Sequence, residues 1–204
     1  MAGWLLVIGS MSFIVGALNP ALGPVWSAPP GAQLRLIDDA ALAWTITNVL
    51  FVVGTIFTAV GLWFLPERVG DRGLPIARAA SVLYLVAATL WIASLAFRLA
   101  VTPDAAAAFV VTGSMDPAYV LMERWAHGLF GAFTYLAGAS LVALGVALIV
   151  GRRPSRATGS FAILIGLAIA LGYAIAGDMP PFVAYIPTGL IGIVLLRQRA
   201  NAAA

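Results

Sequence analysis

Cysteine and lysine are absent from the sequence, and histidine occurs once, as His127. Without cysteine the chain can form no disulfide, no thiolate metal site and no cysteine nucleophile. A zinc site takes about three or four protein ligands, so one histidine with a few carboxylates is a poor match. Phosphate-binding glycine loops and metalloprotease helix motifs are missing as well. The sequence therefore predicts no metal site and assigns no catalytic residue.

Charged residues are also scarce, at 9% of the 204 residues, whereas hydrophobic residues make up 62%. Soluble domains carry about 25% charged residues, so this chain has too few to cover a surface that faces water. Apolar runs long enough to cross a lipid bilayer recur along the whole sequence. The expected fold is all-α, a polytopic transmembrane helical bundle in which residues 1–204 form one integral membrane domain. The net charge of +3 does not indicate nucleic-acid binding, because the arginines cluster in the linkers between apolar runs.

Six membrane spans are predicted, at about 4–22, 40–65, 75–101, 117–150, 159–177 and 181–196. The N-terminus lacks the basic start of a signal peptide, so the first span is expected to be retained. The last span is the shortest, and its Pro187 predicts a kink or tilt. Thr102 and Gly113 predict the start and end of a short surface helix in the third linker. Asp116 and Pro117 are typical of the start of a helix, here the fourth span.

The arginines indicate the orientation of the chain. Eight of the eleven fall within residues 68–78, 152–156 and 197–199. Cytoplasmic segments of membrane proteins carry an excess of positive charge, so the pattern predicts that both termini are cytoplasmic. The lack of lysine, together with abundant alanine and glycine, is typical of a GC-rich bacterial genome. The predicted location is therefore the bacterial cytoplasmic (inner) membrane, with a multi-pass topology.

Small residues recur at helical spacing in the fourth and fifth spans. The fifth span has two such stripes, formed by Ala162, Gly166, Ala170 and Ala174 and by Ala168, Gly172 and Ala176. Stripes of this kind let helix backbones approach closely, which predicts that the fifth span is the most buried helix. The first functional hypothesis follows from them. The protein would act through helix contacts, as an accessory, assembly or regulatory subunit or a homo-oligomer, with other membrane subunits or itself as partner.

A group of polar residues is expected at the outer mouth of the bundle. Counting helical rise from the cytoplasmic ends places Arg98 and His127 at the same level, and Glu123 shares a helix face with His127. Arg98 is expected to pair with Glu123 or Asp39. The alternative functional hypothesis is an outer-face pocket for an anionic or zwitterionic small molecule or lipid headgroup; the competing interpretation is an ion-pair collar that finishes the helix ends. The candidate ligand-binding residues are His127, Glu123, Arg98, Asp39, Trp44 and Arg124.

A second alternative assigns chemistry to His127 itself. It could be the axial ligand of a haem or chlorophyll, in an apolar slot left by Gly128, Gly131 and Ala132, or it could act with Glu123 as an acid–base pair of a membrane enzyme. No ionisable side chain falls in the middle of a predicted span. Because proton-coupled carriers, pumps and voltage sensors usually need such groups, those classes are disfavoured.

Overall fold

The computed structural model describes residues 1–152 and 155–203, and this part of the chain is helical without strands. The described residues form eight α-helices and four short 3₁₀ turns, which lie in the linkers. The helices are α1 (Ala2–Ala17), α2 (Pro30–Asp39), α3 (Ala41–Trp63), α4 (Leu74–Ala100), α5 (Thr102–Thr112), α6 (Pro117–Gly151), α7 (Arg156–Ala176) and α8 (Tyr185–Ala203).

Five stretches of the described chain are helical, long and apolar enough to cross a membrane. They are α3, α4 continued by α5, α6, α7, and α8 with the turn before it. A sixth is counted only if α1 and the following turns at 20–27 form one span, which is bent by 46°. The all-helical fold is therefore confirmed, with five or six spans.

The long helices follow one another around the bundle. α1 packs against α3 and α8, α4 packs against α3 and α6, and α6 packs against α7. α2 and α5 pack against each other at the end where α1, α4 and α7 finish. We call this end the capped end.

Glycines bring the helix backbones together within the chain. A Cβ atom added at Gly138 would lie 2.8 Å from the carbonyl oxygen of Gly166, and one added at Gly54 would lie 2.8 Å from that of Gly9. The first pair joins α6 to α7 and the second joins α3 to α1. Close packing through small residues, as the sequence predicts, thus takes place between helices of the same chain.

The prediction that the fifth span is the most buried helix is wrong. In α7 only 22% of the apolar window is buried, the lowest share among the five spans, whereas in α6 it is 56%. The reason is that α7 packs mainly against α6, so only one of its faces is covered. Ala162 and Gly166 lie on the covered face, while Ala168 and Ala176 of the second stripe are exposed.

The linkers are more helical than the sequence predicts. The predicted short helix is present as α5, and a left-handed Gly113 (φ 70°) ends it. Only Val101 separates it from α4, so it continues that helix. α2 was not predicted: it begins at Pro30 and buries Leu34 and Ile37. The cap at this end of the bundle is therefore built from two helices.

The first and last helices, α1 and α8, differ from the predictions. α1 stops at Ala17 instead of residue 22, because Asn19 precedes a proline, which disfavours helical backbone, and its side chain caps the next turn. Pro187 lies in the first turn of α8, where its missing N–H is not needed. It therefore does not kink the helix, which continues to Ala203.

At the start of α6 the predicted cap is present, since the Asp116 side chain accepts a hydrogen bond from the backbone N–H of Ala118.

Candidate functional site

A cavity of about 490 Å³ lies at the capped end. Its walls come from the end of α1, from α2, α3, α4 and α6, and from the loop after α7. Its volume falls within the range of about 300–1,000 Å³ that is usual for small-molecule sites. The chemically distinctive side chains in its walls are Trp44, Trp91, Arg98, Glu123, His127 and Asp178.

Helical spacing on α4 builds one wall of the cavity. Trp91, Ser94 and Arg98 lie three, four and seven residues apart, which places them on one helix face, and all three line the cavity. The Ser94 hydroxyl donates a hydrogen bond to the carbonyl oxygen of Ala126 on α6, at 3.1 Å. This bond fixes the position of α4 relative to α6 beside the cavity.

Three tryptophans surround the guanidinium of Arg98. Its Cζ atom lies 5.0 Å from the ring centroid of Trp44, 5.2 Å from that of Trp26 and 5.8 Å from that of Trp91. Trp44 and Trp91 are each only 2% exposed, and the Trp44 indole N–H donates to the backbone oxygen of Arg98 at 2.8 Å. A cation over aromatic faces is attracted by their electron density, and most strongly by tryptophan. The three rings therefore hold the charged group in place without neutralising it.

The predicted ion pair of Arg98 with Glu123 or Asp39 is not formed. Across the described residues, no carboxylate oxygen lies within 4.0 Å of its guanidinium. Glu123 and Asp178 interact with Arg98 electrostatically at longer range, and both line the cavity. The physical reason is the direction of the side chain, which packs against the tryptophan rings. Positive and negative groups consequently face the same space without contact.

The structure brings four of the six predicted site residues together and leaves two outside. Trp44, Arg98, Glu123 and His127 line the cavity, whereas Asp39 and Arg124 do not, and the latter two are exposed. Arg124 follows Glu123 directly, and one residue turns an α-helix by about 100°. Asp39 is the last residue of α2. An ion-pair collar, the competing interpretation, is not what these residues form.

The slot predicted for a haem or chlorophyll beside His127 is partly filled. Tyr173 of α7 occupies the space that Gly131 leaves, and its hydroxyl lies 3.5 Å from His127 Nε2. His127 itself is exposed. No cluster of three or more histidine, aspartate and glutamate side chains that could hold a metal ion occurs in the part of the chain that the structure describes.

Four further residues that line the cavity were not predicted from the sequence, namely Trp26, Trp91, Tyr119 and Asp178. Trp91 carried a usable signal, because it lies seven residues before Arg98 on the same helix. Trp26 carried none, since it comes from a 3₁₀ turn whose direction the sequence does not specify.

One hydrogen-bond donor in the cavity wall has no acceptor. The indole N–H of Trp91 is buried and lacks a partner among the described residues. Buried polar groups are normally hydrogen-bonded, to protein, water or ligand. The cavity walls therefore combine the positive charge of Arg98 with a tryptophan whose buried indole N–H has no acceptor among the described residues.

Comparison of the chain with protein-family models, curated proteins and solved structures finds no match.

Proposed function

We propose that the protein binds an amphipathic ligand in the cavity at the capped end, with an anionic group of the ligand held by Arg98. The observation that carries this proposal is the Arg98 guanidinium, which faces a cavity of about 490 Å³, is flanked by three tryptophan rings and has no ion-pair partner within the described residues. A charge that is partly withdrawn from water without an ion-pair partner carries an energetic cost. A bound anion would supply the missing partner.

The remaining walls support a ligand with an apolar body. Phe51, Phe97, Phe130 and Phe182 line the same cavity. Binding sites for small molecules commonly combine apolar and aromatic walls with a few polar groups that orient the ligand. Arg98 is one such polar group. A lipid headgroup with part of its chains, or a small amphipathic molecule, would match both the apolar walls and the charged group.

Native mass spectrometry tests this function. Protein extracted in a mild detergent is expected to retain one equivalent of an amphipathic molecule with an anionic group. Replacing Ala17, which lines the cavity at the end of α1, with phenylalanine should block retention, because the larger side chain enters the ligand space. The matched control is Leu18→Phe, since Leu18 is 67% exposed and outside the cavity. Equal retention by both variants, at unchanged thermal stability, would exclude the cavity as the binding site.

We further propose that the protein is a multi-pass protein of the bacterial inner membrane, with the capped end outside the cytoplasm. The support is the arginine pattern, because seven of the ten arginines in the described part of the chain fall in segments at the other end of the bundle. Positive charge favours the cytoplasmic side. The cavity would then open toward the outer face of the membrane.

The absence of cysteine allows a direct test of this orientation. Ser114→Cys at the capped end and Asp71→Cys at the opposite end each introduce one thiol at an exposed position. A membrane-impermeant maleimide applied to intact cells should label the first variant and leave the second unlabelled until the cells are opened. The reverse pattern would place the cavity on the cytoplasmic side.

A role through helix contacts, the first hypothesis from the sequence, has less support than ligand binding. Its main argument was the small-residue stripes, and Gly138, Gly145, Gly159 and Gly166 serve contacts between α6 and α7 of one chain. The outward face of α7 carries Leu164, Leu171 and Ile175, all more than half exposed. Lipid covers such a face in a membrane, so a partner subunit is not needed to explain it.

A further inference from the structure

The charged groups around the cavity are of both signs. Arg98 contributes one positive charge, and Glu123 and Asp178 contribute two carboxylates. These carboxylates interact with Arg98 over a distance, and within the described chain neither approaches it closely enough to form an ion pair. The walls of the cavity therefore carry opposite charges that do not form an ion pair with each other.

We infer that the ligand is zwitterionic, with its anionic group at Arg98 and its cationic group at Glu123 and Asp178. This inference rests on the proposed binding function and specifies the chemistry of its ligand. A ligand with only negative charge would be attracted by Arg98 and repelled by the two carboxylates. A ligand with only positive charge would meet the reverse problem, because Arg98 is held in the cavity by the tryptophans. Only a molecule that carries both charges is complementary to all three groups.

The walls near the carboxylates also suit a cation. Glu123 is half-buried, so solvent screens its charge less than that of a fully exposed group. Tyr119 and Phe130 line the cavity on the same helix as Glu123, and aromatic faces attract cations. The anionic end has a matching environment, since three tryptophan rings hold the Arg98 guanidinium in the cavity wall.

Two sources could supply this chemistry, a zwitterionic phospholipid and a free zwitterionic molecule. The test compares phosphatidylethanolamine with phosphatidylglycerol of identical acyl chains, titrated into the delipidated full-length protein and measured by native mass spectrometry. Glycerophosphoethanolamine, the headgroup without chains, is titrated separately. The wild type is expected to bind phosphatidylethanolamine at least about fivefold more tightly than phosphatidylglycerol. If the headgroup alone binds as tightly as the phospholipid, the source is a free zwitterion.

Removing the carboxylates should abolish this preference. The double variant Glu123→Gln, Asp178→Asn is expected to lower the preference ratio to about twofold or less, mainly by gaining affinity for phosphatidylglycerol. The control is Asp39→Asn, an exposed carboxylate near the capped end that does not line the cavity, and it should keep the wild-type ratio. Equal binding of both lipids by the wild type would overturn the zwitterion inference. If Arg98→Gln then lost its binding of phosphatidylglycerol, the proposed function, an anionic group held by Arg98, would still be supported. Binding of neither lipid nor the headgroup would overturn both.

Discussion

Replacing Gly145 with leucine is expected to lower the free energy of unfolding by about 3 kcal/mol, since overpacking at a close contact typically costs 1–3 kcal/mol and occasionally more. Gly145 is one of the positions where α6 lies against α7. A Cβ atom there would overlap the carbonyl oxygen of Gly159 and lie 2.6 Å from Cγ1 of Ile163. The nearest of these atoms belongs to the backbone, so the helices must separate to admit the new side chain. Denaturant titration of the purified protein, followed by tryptophan fluorescence, measures the loss.

Gly128 provides a control on the same helix. A Cβ atom at Gly128 would meet no atom of another helix within 4 Å, so Gly128→Leu introduces the same side chain at an open position. Because glycine is the weaker helix former by up to about 1 kcal/mol, this variant should be as stable as the wild type or slightly more stable. A similar loss in both variants would mean that the change in helix composition, and not the contact with α7, determines the result.

Parts of the fold could be predicted from the sequence. Helix bounds follow from local signals: Asp116 and Pro117 mark the start of α6 and Gly113 the end of α5, and all three act as predicted. The spacing of small residues predicts that a helix face packs closely. The spacing does not give the number of helices that pack around a span. α7 was predicted to be the most buried helix, but it packs mainly against one helix, α6. α2 escaped prediction because Pro29, Pro30 and Gly31 resemble a loop, although Pro30 is the first residue of a helix.

The sequence predicted the height of the site residues along their helices, but not the directions in which their side chains point. Counting helical rise identified Arg98, Glu123 and His127 as neighbours in height, and all three line the cavity. The rotation of each side chain about its helix axis depends on how the helices pack, and this excluded Arg124. The pairing of Arg98 depended on Trp26, which reaches the site from a turn outside the long helices. Charge alone predicted a salt bridge, whereas the packing of three rings decides where the guanidinium lies.

Arg98→Gln is expected to weaken phospholipid binding about 10- to 100-fold, because hydrogen bonds to a charged group contribute about 1.5–3 kcal/mol and each 1.4 kcal/mol is a factor of ten. Glutamine keeps a polar side chain, although a shorter one, and has no charge to attract the anionic group. Arg98→Lys should lie between this variant and the wild type. Lysine keeps the charge, but it lacks the planar group that stacks on aromatic faces and binds an anion through two parallel hydrogen bonds.

The design separates a loss of binding from a loss of fold. Arg98 has no ion pair within the described residues, so its replacement leaves no partner charge unpaired and should lower the thermal stability little. Arg124→Gln removes an arginine on the neighbouring helix that is exposed and outside the cavity, and it should bind lipid as the wild type does. If native mass spectrometry gives Arg98→Gln an affinity within about twofold of the wild type, less than about 0.5 kcal/mol, the anion does not bind at Arg98. The tryptophan rings around Arg98 would then serve only to bury a charge at the end of α4.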